Sequence, residues 1–224
     1  MMFSVSVVRA ALGLILLCLA LNANAVEDRV DISVASRLAS QHVERFPEPW
    51  LMRKSDGEYA WSYTHGLVLL GMEQLYKQTG NEVYADYIQS YADHFITANG
   101  DINTFRITEF NIDSINAGKM LFFLYQRTGD NRYKRAMDRL REQLKWQPRT
   151  NSGGFWHKRK YPWQIWLDGL YMGQPFYSQY EKSFGDDPAV YDDIVSQFLV
   201  IEQKTRDADS GLLYHAWDES ALME

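Results

Sequence analysis

The sequence predicts an all-α fold: an (α/α)6 toroid, of which it carries an incomplete arc of roughly four helical hairpins. Three observations lead there. The first is a repeat. LYKQTGNEVY (Leu75 to Tyr84) is echoed by LYQRTGDNRY (Leu124 to Tyr133) 49 residues later, and more loosely by YEKSFGDDPAVY (Tyr180 to Tyr191). In each copy a glycine (Gly80, Gly129, Gly185) is placed to end one helix in the left-handed conformation. The residue after it (Asn81, Asp130, Asp186) is suited to turn into and cap the next. The tyrosine that follows is expected to pack back on the preceding helix. The second observation is a helical period from Gly66 to Lys77. Leu67, Leu70, Gly71, Gln74 and Leu75 fall at i, i+3, i+4, i+7 and i+8, and predict a mostly buried stripe. The third is that proline is scarce, six in all, and no long alternating run suggests strands. Hairpins recurring about every 50 to 58 residues bury their core by stacking on neighbours, and closed arrays at this repeat length are six-hairpin toroids.

The N-terminus reads as a leader. Arg9 precedes an apolar run over residues 11–20 that ends near Ala23-Asn24-Ala25, the basic, apolar, A-x-A order of a secretory signal peptide. The run is about half the length a membrane-spanning helix needs. Cys18, the only cysteine, falls inside it behind Leu17, where a lipoprotein signal wants a small residue. The expectation is a signal peptide over 1–25 and an α/α-barrel domain over 26–224, exported to the periplasm or beyond, monomeric, free of disulfides and off the membrane after cleavage. Six hairpins need about 300 residues. From Val26 onward there are 199, ending in DESALME without a closing element, so a fragment of a longer toroid is expected rather than an open arc.

Composition narrows the partners. Apolar residues make up 46% and aromatics 14%, with seven Trp and fourteen Tyr, a globular composition whose aromatic excess suits flat, ring-shaped ligands. Without Arg9 the chain holds 22 basic against 29 acidic residues, a net charge of −7, which offers no footprint for nucleic acid or anionic lipid. An anionic ligand would need a local basic group. His157-Lys158-Arg159-Lys160 is the obvious candidate, its plainer reading being a solvated loop.

Two aspartates stand in apolar company. YPWQIWLDGLYMGQPF (161–176) holds one charged residue, Asp168, near Trp163, Trp166, Tyr171 and Met172. A helix-capping aspartate would explain it. So would a catalytic acid, since aromatic walls that exclude water favour the protonated form. Asp113, in TEFNIDSINAGKML, has the same two readings. A toroid gathers one end of every inner helix at a common mouth, where paired carboxylates suit glycoside chemistry. Trp61-Ser62-Tyr63, Phe155-Trp156-His157-Lys158 after Gly153-Gly154, and Tyr214-His215-Ala216-Trp217-Asp218 after Ser210-Gly211 add aromatics and donors. The five histidines show no metal-ligand spacing, so neither a metal nor another cofactor is expected. There is no phosphate-binding glycine loop and no serine nucleophile elbow.

WLDGLYMG (166–173), GGFWHK ahead of it, NIDSINAG before that and YHAWD after it resemble the unsaturated rhamnogalacturonyl hydrolases, glycoside hydrolase family 105, which are related to the family 88 unsaturated glucuronyl hydrolases. The resemblance implies an (α/α)6 barrel with its site at one mouth. It also implies hydrolysis of oligosaccharides left by polysaccharide lyases, by hydration of the C4–C5 double bond of a terminal 4,5-unsaturated uronic acid. It assigns Asp168 as general acid and base and Asp113 as the second active-site carboxylate. Tyr63, His157, Lys158, Trp166, Met172, Gly173 and His215 match positions that line the sugar pocket. Lys158 is expected to pair with the uronate carboxylate. Family members continue into a W-x-R-x-x-G-W segment that is not found here. Two other readings stay open: an unsaturated glucuronyl hydrolase acting on glycosaminoglycan disaccharides, and a non-catalytic carbohydrate-binding α/α fragment.

Overall fold

The computed structural model describes residues 32–52 and 57–222. The expected leader over 1–25, with Cys18, lies outside the described residues. The chain divides into two compact units, Met1–His42 and Val43–Glu224. Helix α1 (Ile32–Arg45) spans the boundary between them.

In the second unit three helical hairpins follow one another. They are α2 (Tyr63–Thr79) with α3 (Glu82–Phe95), the broken helix α4 (Asp113–Asn116) and α5 (Met120–Thr128) with α6 (Asn131–Lys145), and α7 (Leu167–Phe184) with α8 (Ala189–Thr205). They make up three of the roughly four hairpins expected. Tyr91, Tyr133 and Phe176, one from each hairpin, are fully buried. A two-stranded antiparallel sheet, β1 (Gln164–Trp166) with β2 (Ala216–Asp218), pairs Gln164 with Asp218 and Trp166 with Ala216. These short strands carry too few residues to show a period in sequence. No helix among the described residues is long and apolar enough to cross a membrane.

Two of the three repeat junctions form as their residues dictate. Gly80 and Gly129 adopt φ of 68° and 69°, and their N–H groups close on the carbonyls of Tyr76 and Tyr125. Asn81 accepts from Val83 N at 3.2 Å and Asp130 from Arg132 N at 2.8 Å, each capping the next helix. Tyr84 and Tyr133 are buried, and the Tyr133 hydroxyl donates to Asp93 at 2.7 Å across to α3.

The third junction departs from the expectation. Gly185 is extended, with φ of −105°, not left-handed. A Cβ there would sit 2.1 Å from Glu181 Oε1, so a larger residue would displace that carboxylate. That carboxylate accepts from Asp187 N at 2.7 Å, and Asp187, rather than Asp186, accepts from Ala189 N at 3.0 Å. This connection is two residues longer than the others, and Tyr191 stays 42% exposed instead of packing back.

The buried face of α2 is also not the expected one. His65, Gly66, Leu69, Met72 and Glu73 are inside, whereas Leu67 is 55% exposed and Gly71 and Gln74 face outward. The helix is apolar on more than one side, so its period alone does not select a face. Gly66 does: its missing Cβ leaves room for the Ala117 backbone, whose Cα would lie 2.6 Å away. Nothing flexible can yield there. Gly66→Ala is expected to push α2 off the α4–α5 junction and cost about 1–3 kcal/mol. A thermal melt is expected to fall by roughly 2–4 °C for each kcal/mol, and an unchanged melt would place the tight contact elsewhere.

The helix starts gather at one end. Trp61 Nε1 donates to Ser114 O at 2.8 Å, and Asn116 Nδ2 donates to Tyr63 O at 2.9 Å. Both bonds tie the start of α2 to that of α4. On the other side, Gly118 fits against Leu140 and Phe176, and Gly173 against Ile112.

Candidate active site

Asp113 opens α4, but it does not cap it. Asn111 Oδ1 accepts from Asp113 N at 3.1 Å and takes that part, which frees the Asp113 carboxylate. Its Oδ2 accepts from Lys158 Nζ at 2.7 Å, and its Oδ1 lies 3.0 Å from His157 Nε2, out of line for a full hydrogen bond. Burial pushes the Asp113 carboxyl up, but His157 and Lys158 outweigh it and hold it below the usual carboxylate range.

The contact between the two segments is fixed by backbone. Ile112 N donates to His157 O at 3.0 Å, and His157 N donates to Gln164 O at 2.8 Å. Two buried glutamines, Gln143 in α6 and Gln147 just past its end, lock the loops from below. Gln147 Nε2 donates to both Phe110 O and Trp156 O at 2.7 Å, and Gln143 Nε2 donates to Asn111 O at 3.1 Å. Sequence reasoning missed this pair. The available signal was Gln143, an amide on the helix face that carries Leu140 and Leu144, with a second amide, Gln147, four residues on.

Asp168 lies in the first turn of α7 behind the N-cap Trp166. It makes no capping bond, so the helix-cap reading fails for this aspartate as well. Its Oδ1 is buried without a hydrogen-bond partner, and His215 Nε2, at 3.6 Å, is beyond bonding distance. A buried carboxyl oxygen left unpartnered requires an explanation, and a ligand atom supplies one.

The surroundings differ from the aromatic wall expected from sequence. Trp163 packs on Trp156 with ring centres 5.0 Å apart, and Tyr171 lies under Lys119 Nζ at 3.9 Å. Trp166 is the aromatic that shapes the site. It stacks on His157 at 4.2 Å and 9°, and on its other neighbours stands 5.5 Å from His215 and 5.4 Å from Tyr161. Gly169 makes room for the imidazole, since a Cβ there would meet His157 Nδ1 at 3.2 Å. The β1–β2 pairing delivers the last member: Leu167 N donates to His215 O at 2.7 Å, which brings His215 beside Asp168.

The structure therefore brings together Asp113, Asp168, His157, Lys158, Trp166 and His215. Met172 is buried one turn below Asp168, and Gly173 is a packing position against Ile112. The Tyr63 side chain is exposed, and its link to the cluster runs through its carbonyl.

One oxygen or nitrogen from each of Asp113, His157 and Asp168 lies within 4.8 Å of the others. These are donor types a cation accepts, and histidine spacing does not reveal them together, because His157 lies in a loop and the carboxylates come from α4 and α7. Lys158 already supplies positive charge to the cluster. The spacing is that of neighbouring side chains, with an oxygen of each carboxylate near the other. It suits two carboxylates directed at one small region of a ligand.

Residues 34–224 match the model for Glycosyl Hydrolase Family 88. The chain is 26% identical over 170 residues to the unsaturated rhamnogalacturonyl hydrolase YesR of Bacillus subtilis, covering 73% of this chain and 47% of that protein. A family 105 glycoside hydrolase structure from C. acetobutylicum superposes with a TM-score of 0.75 at 41% identity, covering 84% of this chain and 50% of the other. A possible family 105 member from Klebsiella pneumoniae gives 0.67 at 25% identity, covering 86% and 53%. The chain thus spans about half the length of the relatives it matches. The hairpins are those of the helical toroid class, and the resemblance read from WLDGLYMG and GGFWHK holds along the described core. This chain belongs to glycosyl hydrolase family 88.

Proposed function

We propose that the chain carries the acid/base centre of an exported hydrolase. This enzyme removes 4,5-unsaturated uronic acid from the non-reducing end of lyase-generated oligosaccharides, those of rhamnogalacturonan first. The observation that carries the reading is the unpartnered Oδ1 of Asp168, a residue that brings a carboxylate oxygen within 4.8 Å of one from an Asp113 held ionised by Lys158 and His157. Asp168 donates a proton to C4 of the vinyl ether, then takes one from the water that adds at C5. The hemiketal that results opens and releases the aglycone. Asp113, with its charge fixed, orients the water or a ring hydroxyl, and Trp166 offers a face to the sugar. The name of the Bacillus relative supports rhamnogalacturonyl substrates, and the leader motif supports export.

Unsaturated rhamnogalacturonyl and glycosaminoglycan disaccharides are the test substrates. The C4–C5 alkene absorbs in the ultraviolet, and its loss on the former, with little on the latter, is the expected result. Preference for the latter would move the substrate to glucuronides. An alkene that persists in both would leave a non-catalytic binding protein.

A further inference from the structure

Lys119 is a buried cation that the chemistry above does not use. It closes the 3-10 turn Ala117–Lys119 between α4 and α5, six residues after Asp113, and is 7% exposed. Burial brings its ammonium down to about 8, with no neighbouring carboxylate among the described residues to hold the proton. An ammonium placed this way is costly and needs acceptors. Both that it has come from one residue of α7. Nζ donates to Tyr171 O at 2.5 Å and lies 3.9 Å from the centre of the Tyr171 ring.

The Tyr171 carbonyl is short of a donor for a reason written in the sequence. In an α-helix it accepts from the N–H four residues on, and that residue is Pro175, inside α7. Proline has no N–H, and its ring presses on the carbonyl four residues back. Lys119 supplies the missing donor from another element. Packing brackets this bond. On one side a Cβ on Gly173 would meet Ile112 at 3.2 Å, and on the other a Cβ on Gly118 would meet Phe176 at 3.1 Å.

Asp168 stands one turn ahead of Tyr171, on the stretch of α7 before the proline. Without the bond from 175 to 171, the helix ladder ties that stretch less firmly to the rest of α7. Resting on the hydrolase reading, we infer that Lys119 is a positioning residue for the reaction. By holding the Tyr171 carbonyl it joins the segment that follows Asp113 to the turn that follows Asp168, and so sets where the two carboxylates meet. It acts through the helix and not on the sugar.

Lys119→Met keeps the apolar stem and removes the donor. With an unsaturated rhamnogalacturonyl disaccharide as the probe, kcat is expected to fall about ten- to a hundredfold, the scale of a misplacement of about 1 Å, while KM changes little. Circular dichroism at the assay temperature gives the folded fraction against which kcat is corrected. Pro175→Ala returns an N–H to the Tyr171 carbonyl. In that background Lys119→Met is expected to lower kcat by less than about threefold, because the helix then makes the bond itself. Lys119→Gln, an amide donor of shorter reach, repeats the comparison with a milder change. A corrected kcat equal to that of the wild type in both Lys119 variants would overturn the inference. So would an equal loss with and without Pro175, which would place the effect of Lys119 outside the Tyr171 bond, or a loss that the folded fraction fully accounts for. No alkene loss by the wild-type chain would overturn the hydrolase reading, and the role of Lys119 with it.

Discussion

Asp168→Asn is expected to lower turnover by about 10²- to 10⁴-fold, the usual worth of a positioned general acid or base, while the thermal melt stays within a degree or two of the wild type. The amide has the same size, but it has no acidic proton to give to C4 and cannot accept one from water. Stability is spared because Oδ1 has no hydrogen-bond partner to lose in the folded chain. A capping aspartate behaves in the opposite way: its loss costs about 1 kcal/mol and leaves catalysis alone. Parallel alkene-loss assays and melts separate the two outcomes, and a destabilised but active variant would remove Asp168 from the chemistry.

Lys158→Met is expected to be the most damaging change near the site for stability. It leaves the Asp113 carboxylate, 14% exposed, with only His157 to offset its burial. Removing one partner of a buried pair typically costs about 3–5 kcal/mol, and the residual exposure of both groups brings the expectation to about 2–4 kcal/mol. The pH dependence follows from the direction of the Asp113 shift. Its carboxyl is held below the ordinary value, so its contribution to stability is complete above the unfolded value near ~3.9. That contribution is lost as pH falls through the lower, folded value. Without Lys158 burial gains ground, the folded value rises, and acid unfolding begins at a higher pH. Melts across the acid range in both proteins check this, and coincident acid limbs would mean that Lys158 does not hold the charge of Asp113.

Much of the fold is written locally. The Thr-Gly-Asn and Thr-Gly-Asp junctions fix where α2 and α5 end and where α3 and α6 begin, since a left-handed glycine and a capping side chain need only their neighbours. The third junction was less legible. Gly185 serves the Glu181 carboxylate and not a left-handed turn, which is a contact between side chain and backbone rather than a propensity. The inward face of α2 was hidden for a related reason. An apolar helix can bury several faces, and the choice rests on Gly66 meeting a backbone 51 residues away.

The candidate site divides in the same way. Asp113, Asp168, His157 and Lys158 were legible as residue types because charges in apolar company are rare. Their partners were not. Lys158 meets Asp113, Trp166 rather than Trp163 or Tyr171 stacks at the site, and Gln143 and Gln147 set the loops.

By itself, then, the sequence determined the helical hairpins, the family and the residues bearing chemistry, because caps, turns and polarity act over a few neighbouring positions. Only the tertiary structure decided which carboxylate is neutralised and which oxygen is left open. Those are distances between segments remote along the chain, and electrostatic energies depend on distance and burial rather than on order in sequence.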